Sequence, residues 1–164
     1  MVRNQRGAKS WPTGLHNSVK EGKGCRELLI VPALRAAANG EPVLVHVCNC
    51  TECQRRTGSV FLVNSFFPKS EVHTQGPSKV YIRDGQEGRK IRLHFCPECG
   101  TTVYAENDGR PGLVAIPVGA FADPNFPKPT RSIWEQSKHS WVAFNQVVEH
   151  LPKAPPRPQS SNST

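Results

Sequence analysis

Short runs of alternating apolar and polar residues recur along the middle of the chain, and turn-forming residues bound each run. The turns contain the stretches GPSK, RDGQEG and NDGRPG, which are rich in glycine, proline, asparagine and aspartate. Alternation with turn chemistry at both ends is typical of half-buried β-strands, so the chain is predicted to be all-β or β-dominated. The predicted strands are residues 43–47, 60–67, 79–83, 90–95, 102–106 and 113–118.

Helical patterning is confined to short segments. The stretch TECQRRT, Thr51–Thr57, is predicted to be one short helix, with Thr51 as its N-cap and Gly58 as its left-handed stop. A second short helix is predicted near residues 132–136. Both are expected to be helical turns within a β-domain.

The composition indicates one loop-rich domain with a tail at each end. The chain has 164 residues, of which 37% are hydrophobic and 15 are prolines. Residues 1–22 are interpreted as a flexible basic arm, 23–150 as the domain, and 151–164, rich in proline and serine, as a disordered tail. The longest apolar stretch, residues 28–34, is too short to cross a membrane, and no apolar segment follows the basic N-terminus. We therefore expect an intracellular, cytoplasmic protein with reduced cysteines, which favours metal binding over disulfides.

The net charge of +8 raises the question of a nucleic-acid partner. Residues 1–24 carry a net +4 and residues 151–164 a net +2, which leaves +2 for the domain between them. Positive charge concentrated in the terminal segments is typical of solvated tails. We expect no membrane partner, and nucleic-acid binding at most weakly through the tails.

The cysteines carry the strongest chemical signal. Cys48, Cys50 and Cys53 lie within HVCNCTECQRRTGSVF, and Cys96 and Cys99 form the turn FCPECG, which is typical of a metal knuckle. One possibility is a single overfilled site made from all five. The other is two sites, with Cys96 and Cys99 joined by Cys25 upstream and the three middle cysteines left alone.

The second arrangement is favoured, because three protein ligands and one open position are typical of a reactive zinc. Purely structural zinc sites and three disulfides are the alternatives. The histidines lack ligand spacing and are interpreted as surface or supporting residues, and the two later tryptophans as core or cleft packing. These residues are His46, His94, His139, His150, Trp134 and Trp141.

Together, CNCTECQRRTGSVF and FCPECGTTVYAE make the chain resemble the glutathione-dependent formaldehyde-activating family, which includes centromere protein V. That family has an early C-x-C-G, a middle C-H-C-x-x-C followed by R-x-x-T-G, and a late F-C-x-x-C-G-T. GLVAIPVGAFADP and SIWEQSKHSWV also resemble family segments, so the likeness covers roughly residues 24–142. It implies an Mss4-like fold of coiled antiparallel sheets.

The resemblance also implies two zinc ions per chain. The middle triad Cys48, Cys50 and Cys53 corresponds to a catalytic site. The structural site corresponds to Cys96, Cys99 and Cys25, with Glu27 where the family has a second early cysteine. A carboxylate can bind zinc, and one zinc per chain is expected if the Glu27 site fails. Asn49 stands where histidine is common in the family.

The implied activity joins glutathione and formaldehyde into S-hydroxymethylglutathione, and the reverse is a carbon–sulfur lyase step. Arg55 or Arg56 is a candidate partner for a glutathione carboxylate, with solvated helix charges as the alternative. A competing hypothesis is a non-catalytic zinc module whose basic arm binds nucleic acid, chromatin or another acidic partner. A third is a degenerate member, folded around one zinc and inactive.

Overall fold

The computed structural model describes residues 25–27, 33–85, 88–147 and 149–155, and of residues 25–27 it describes the backbone. The predicted basic arm, residues 1–22, and most of the predicted tail lie outside the described residues. No helix among the described residues is long and apolar enough to cross a membrane.

The described residues form a β-dominated fold with one α-helix, α1 (Thr51–Thr57). The strands are β1 (Cys25–Glu27), β2 (Arg35–Asn39), β3 (Leu44–Cys48), β4 (Leu62–Pro68), β5 (Val72–Gln75), β6 (Lys79–Asp84), β7 (Lys90–Phe95), β8 (Thr102–Asn107), β9 (Leu113–Pro117), β10 (Arg131–Ile133) and β11 (Glu149–His150). All six predicted strands are confirmed, as is the all-β fold class expected of an Mss4-like protein.

Eight strands form one sheet in the order β11-β10-β3-β4-β9-β8-β7-β6. From β3 to β6 every neighbouring pair is antiparallel, and short turns join the consecutive strands from β6 to β9. β10 instead runs parallel to both β3 and β11. A parallel neighbour needs a long connection, and β10 indeed comes from much later in the chain than β3.

A second sheet of three strands, β1-β2-β5, packs on one face of the large sheet. Ala36 and Ala38 of β2 are buried in this interface, and their small side chains allow the two sheets to approach closely. Phe67 of β4 is completely buried, and burial of a phenylalanine contributes about 1.5–3 kcal/mol. The core consists of Leu34, Ala36, Ala38, Phe67, Cys96, Val103, Val114, Ile116 and Phe121.

The opposite face of the large sheet lines a cleft of about 700 Å³. Every strand of this sheet except β11 contributes side chains to it, so the sheet curls around the space. On β10, β3, β4, β9 and β7 the residues that line the cleft alternate, as the strand period of two requires. On β4, for example, Leu62, Asn64 and Phe66 line the cleft while Ser65 and Phe67 are completely buried.

Two local predictions need correction. The second predicted helix is displaced and shortened: β10 ends at Ile133, Trp134 has a left-handed φ of 60°, and a three-residue 3-10 helix follows at Glu135–Ser137. Strand pairing with β3 overrides the local pattern here. The helix α1 is confirmed, with Gly58 as its left-handed C-cap, but its N-cap is Cys50 and not Thr51.

Candidate metal centre

Three cysteines converge where β3 passes into α1. Cys48 ends β3, Cys50 immediately precedes α1, and Cys53 lies in the first turn of the helix. Their sulfur atoms all lie within 4.8 Å of one another. Cys48 and Cys53 are buried, whereas Cys50 is partly exposed and all three line the cleft. Within the described part of the chain, no other three cysteine, histidine or carboxylate side chains converge in this way.

Cys50 has a structural role in addition to its place in the group. Its backbone is extended, with φ −65° and ψ 148°, and its sulfur accepts the N–H of Cys53 at 3.4 Å. This satisfies one of the free amides at the start of α1, which is the task of an N-cap. The same geometry brings the Cys50 and Cys53 sulfurs together, so the start of α1 positions two of the three cysteines.

Asn49, between two of the cysteines, ties the cysteine loop to β10. Its side chain is completely buried and donates to Ser132 Oγ at 3.0 Å and to the Ile133 carbonyl at 2.9 Å. Its own carbonyl accepts from Gln54 Nε2 at 2.8 Å and from Ser137 Oγ at 2.9 Å. Asn49 does not line the cleft, so asparagine in place of the family's histidine removes no proton carrier from the cleft wall.

Replacing Asn49 by alanine is expected to lower the free energy of unfolding by about 2–3 kcal/mol, because two buried hydrogen bonds are lost and Ser132 loses a partner. Metal affinity should fall roughly tenfold, since the cysteine loop loses its support. Denaturant unfolding and chelator competition measure the two effects. Asn125→Ala, at an exposed asparagine, is the matched control. Equal stabilities of the two variants would contradict this role.

The chemistry of the three sulfurs fits a soft divalent ion. Hydrogen bonds from Cys48 and Cys53 lower the pKa of Cys50 to about 2, whereas hydrogen bonds with Cys50 and Cys53 raise the pKa of Cys48 far above its usual range. The three thiols therefore do not ionise independently of one another. A cation among them would allow all three to ionise. Tetrahedral zinc places its thiolates ~3.8 Å apart, which the observed spacing can accommodate.

The cleft beside the cysteines is strongly cationic. Two acidic side chains line it, and both are already paired: Glu52 with Arg55 at 3.1 Å, and Asp84 with Lys90 at 2.6 Å. An anionic ligand would therefore be favoured in this space. The arginines lining the cleft are Arg56, Arg83, Arg89, Arg110 and Arg131.

The two arginines predicted on α1 have different surroundings. Arg56 lines the cleft, and its guanidinium donates to Thr102 Oγ1 at 3.1 Å. Arg55 is exposed, pairs with Glu52 one helical turn away and does not line the cleft. Arg56 is thus the better placed of the two to meet a ligand in the cleft.

Among the histidines, His46 alone of the four singled out lines the cleft. Burial lowers its pKa to about 3, with the charges of Arg110 and Arg131 acting in the same direction, so the ring is neutral. His94 lies on the other face of the sheet, stacked on Tyr104 and 3.5 Å from Glu106.

The remaining aromatic and histidine candidates have separate surroundings. Trp134 lines the cleft and packs against the cysteine group. Trp141 is exposed and contacts His139 edge-on, whereas His150 pairs with Glu135. The interpretation of the later tryptophans as packing residues therefore suits Trp134 and not Trp141.

The knuckle cysteines form a separate group on the core side of the large sheet. Cys96 is buried and Cys99 is exposed, with its thiol 3.3 Å from Thr101 Oγ1. Burial opposes ionisation of Cys96, but amides of Cys99, Glu98 and Ala33 outweigh it and lower its pKa to about 7. Because the two groups lie on different faces, the single overfilled site is not formed. The five cysteines whose side chains the structure describes are all free of disulfides.

Cys25 and Glu27, the predicted partners of the knuckle, lie on β1. The backbone register places Cys25 opposite Asn39 and Glu27 opposite Ala37. Ala33, just before β2, packs against the core cluster that contains Cys96, and its backbone amide donates to the Cys96 sulfur. This contact lies at the end of β2 opposite to Asn39. Along the sheet, Glu27 is thus nearer to the knuckle than Cys25 is. That either residue binds metal stays a prediction.

The fold and the site define a class of β-rich protein in which a three-cysteine group, able to hold a metal ion, opens on a cleft. The chain belongs to the family described as "Glutathione-dependent formaldehyde-activating enzyme", whose profile matches residues 32–137. That match contains both cysteine groups and begins after Cys25 and Glu27.

One curated relative comes from Fusarium vanettenii and is named "Putative glutathione-dependent formaldehyde-activating enzyme". It is 33% identical over 81 residues, which cover 43% of this chain and 42% of the relative. The match therefore spans less than half of that relative's length.

Proposed function

We propose that this protein interconverts a thiol plus an aldehyde with their adduct, with glutathione, formaldehyde and S-hydroxymethylglutathione as the reactants. The reverse direction is a carbon–sulfur lyase reaction. The observation that supports the proposal most directly is the convergence of Cys48, Cys50 and Cys53 within 4.8 Å on the wall of a cationic cleft. The family to which the chain belongs supports the choice of reactants.

The reaction balances without an external oxidant or reductant. The substrate sulfur forms a bond to the aldehyde carbon, the carbon–oxygen double bond becomes a single bond, and the thiol proton ends on that oxygen. Zn²⁺, held by the three cysteine sulfurs, would supply the positive charge that stabilises a substrate thiolate at neutral pH. No change of oxidation state occurs at any protein residue.

The side chains of the cleft orient the substrate and limit water. Leu62, Ile133 and Trp134 pack directly against the cysteine group and give it an apolar wall. Arg56, held by Thr102, presents a positive charge from α1 and would pair with one carboxylate of glutathione. Holding the thiol beside the aldehyde in a fixed orientation would then provide much of the rate gain.

Exchange spectroscopy tests this function, because the uncatalysed reaction is already fast and reaches equilibrium. NMR exchange between glutathione and S-hydroxymethylglutathione should be faster with catalytic amounts of zinc-loaded protein than in buffer. Protein stripped of metal by a chelator is the control and should not accelerate the exchange. An exchange rate equal to that in buffer, measured with folded and zinc-loaded protein, would contradict the proposal.

A further inference from the structure

Arg110 is a cleft arginine without an acidic partner among the described residues. It lies in the turn between β8 and β9, where its amide donates to the Asn107 carbonyl and its carbonyl accepts from Leu113. Its guanidinium stacks over the ring of Phe66, 5.2 Å from the centroid, and lines the cleft. No hydrogen bond or ion pair joins that guanidinium to any side chain in the part of the chain described. The backbone turn and the ring thus hold a charge that faces the cleft.

The surroundings of Arg110 disfavour its positive charge unless an anion is bound beside it. Burial lowers the pKa of Arg110, and the nearby charge of Arg131 lowers it further. Arg131 pairs with Glu149, which does not line the cleft. The two acidic residues of the cleft are paired elsewhere, so an anion from solution is the available counter-charge.

The strand register places Arg131 close to the cysteine group, and Arg110 lies farther along, over Phe66, which pairs with Leu44. Arg131 pairs with His46, whereas Ile133 pairs with Cys48, so Arg131 lies two residues along the sheet from the Cys48 level. Two residues of strand span about 6.6 Å. In a peptide, two extended residues span roughly 7 Å. A thiol bound at the cysteine group would therefore bring a carboxylate on its next residue to the level of Arg131 and His46.

We infer that Arg110, with Arg131 beside it, forms an anion subsite that binds a carboxylate of the thiol substrate. Arg110 would thus determine specificity, because it favours a thiol that carries a carboxylate over a simple alkyl thiol. This inference rests on the proposed function. It adds a second carboxylate contact to that of Arg56, on a different wall of the cleft, so that glutathione would be held at both charged ends.

Calorimetry with three probes tests the subsite: glutathione, S-methylglutathione, which keeps the carboxylates but has no free thiol, and 2-mercaptoethanol, which has no carboxylate. The zinc-loaded wild type and Arg110→Gln are compared. We expect Arg110→Gln to weaken binding of both peptides by roughly tenfold to a hundredfold and to change 2-mercaptoethanol binding less than twofold. Arg110→Lys, which keeps the charge, should recover part of the loss.

Arg92→Gln is the matched control. Arg92 has the same charge, but it lies on the other face of β7, where it pairs with Asp108 and does not line the cleft. Its peptide affinities should equal those of the wild type. Peptide binding that Arg110→Gln leaves unchanged, or an equal loss for all three probes, would overturn the subsite alone. Absence of glutathione binding to the wild type would overturn both the subsite and the proposed function.

Discussion

Replacing Cys50 by serine is expected to remove metal from the Cys48–Cys50–Cys53 group and to lower thiol–aldehyde turnover at least about 100-fold, while the fold is kept. Serine is a poor zinc ligand compared with a thiolate, so the ion loses one of three protein ligands. Serine is also a preferred N-cap, and its oxygen can accept the Cys53 N–H that the sulfur now accepts. The substitution therefore separates the metal role of Cys50 from its role at the start of α1.

Metal content per chain, exchange spectroscopy and thermal unfolding measure the three parts of this prediction. Cys50→Ala is the informative partner variant, because alanine loses the ligand and the cap together. Cys50→Ala should match Cys50→Ser in turnover and unfold more readily, by about 1 kcal/mol. A Cys50→Ser variant that retains wild-type turnover would show that the cysteine group is not where the chemistry takes place.

Replacing Gly76 by alanine is expected to cost about 3–5 kcal/mol of folding free energy, the largest stability effect we predict for one added methyl group. Gly76 follows β5 and has a φ of 97°, which L-residues rarely adopt. A Cβ there would lie 1.8 Å from the backbone oxygen of Ala33. The atom in the way belongs to the backbone, so β5 or the chain entering β2 must shift. A loss of this size is a large part of the stability of a small domain.

Gly58→Ala provides the matched control for Gly76→Ala. Gly58 also has a positive φ, 67°, but a Cβ there would meet nothing within 4 Å. Its substitution should cost only about 1 kcal/mol, from the left-handed backbone alone. Denaturant unfolding of both variants isolates the steric contribution. Equal losses at the two glycines would mean that the close approach to Ala33 does not limit stability.

The fold was predictable where local patterning and tertiary burial agree. The six predicted strands alternate between apolar and polar residues or are bounded by glycine-containing turns, so local sequence was enough to locate them. β2 escaped prediction because its sequence, RAAAN, has no β-branched or aromatic residue, and alanine favours helices. These alanines become strand because the core needs small residues between two sheets. β10 was mistaken for helix because its pairing partner lies far away in the sequence.

The candidate site was predictable only in part. The cysteine spacing places three ligands at a strand-to-helix junction, and the structure brings those three sulfurs together. His46, Arg110 and Trp134 reach the same cleft from three different places in the chain, and no local motif connects them. The predicted early ligands, Cys25 and Glu27, lie on β1, of which the backbone alone is described. Arg110 could have been identified from the charge balance of the cleft, but that balance is visible only once the fold is known.

The hydrogen bonds from Asn49 to β10 determine when, during synthesis of the chain, the cysteine loop gains its support. Asn49 and Ser132 are separated by 83 positions, and the cysteines leave the ribosome well before the strand that supports them. Until Ser132 and Ile133 have emerged, the loop between Cys48 and Cys50 lacks its anchor. We therefore expect any metal capture by the three cysteines to follow the synthesis of β10, since a nascent chain that presents the cysteines alone has not yet built their scaffold.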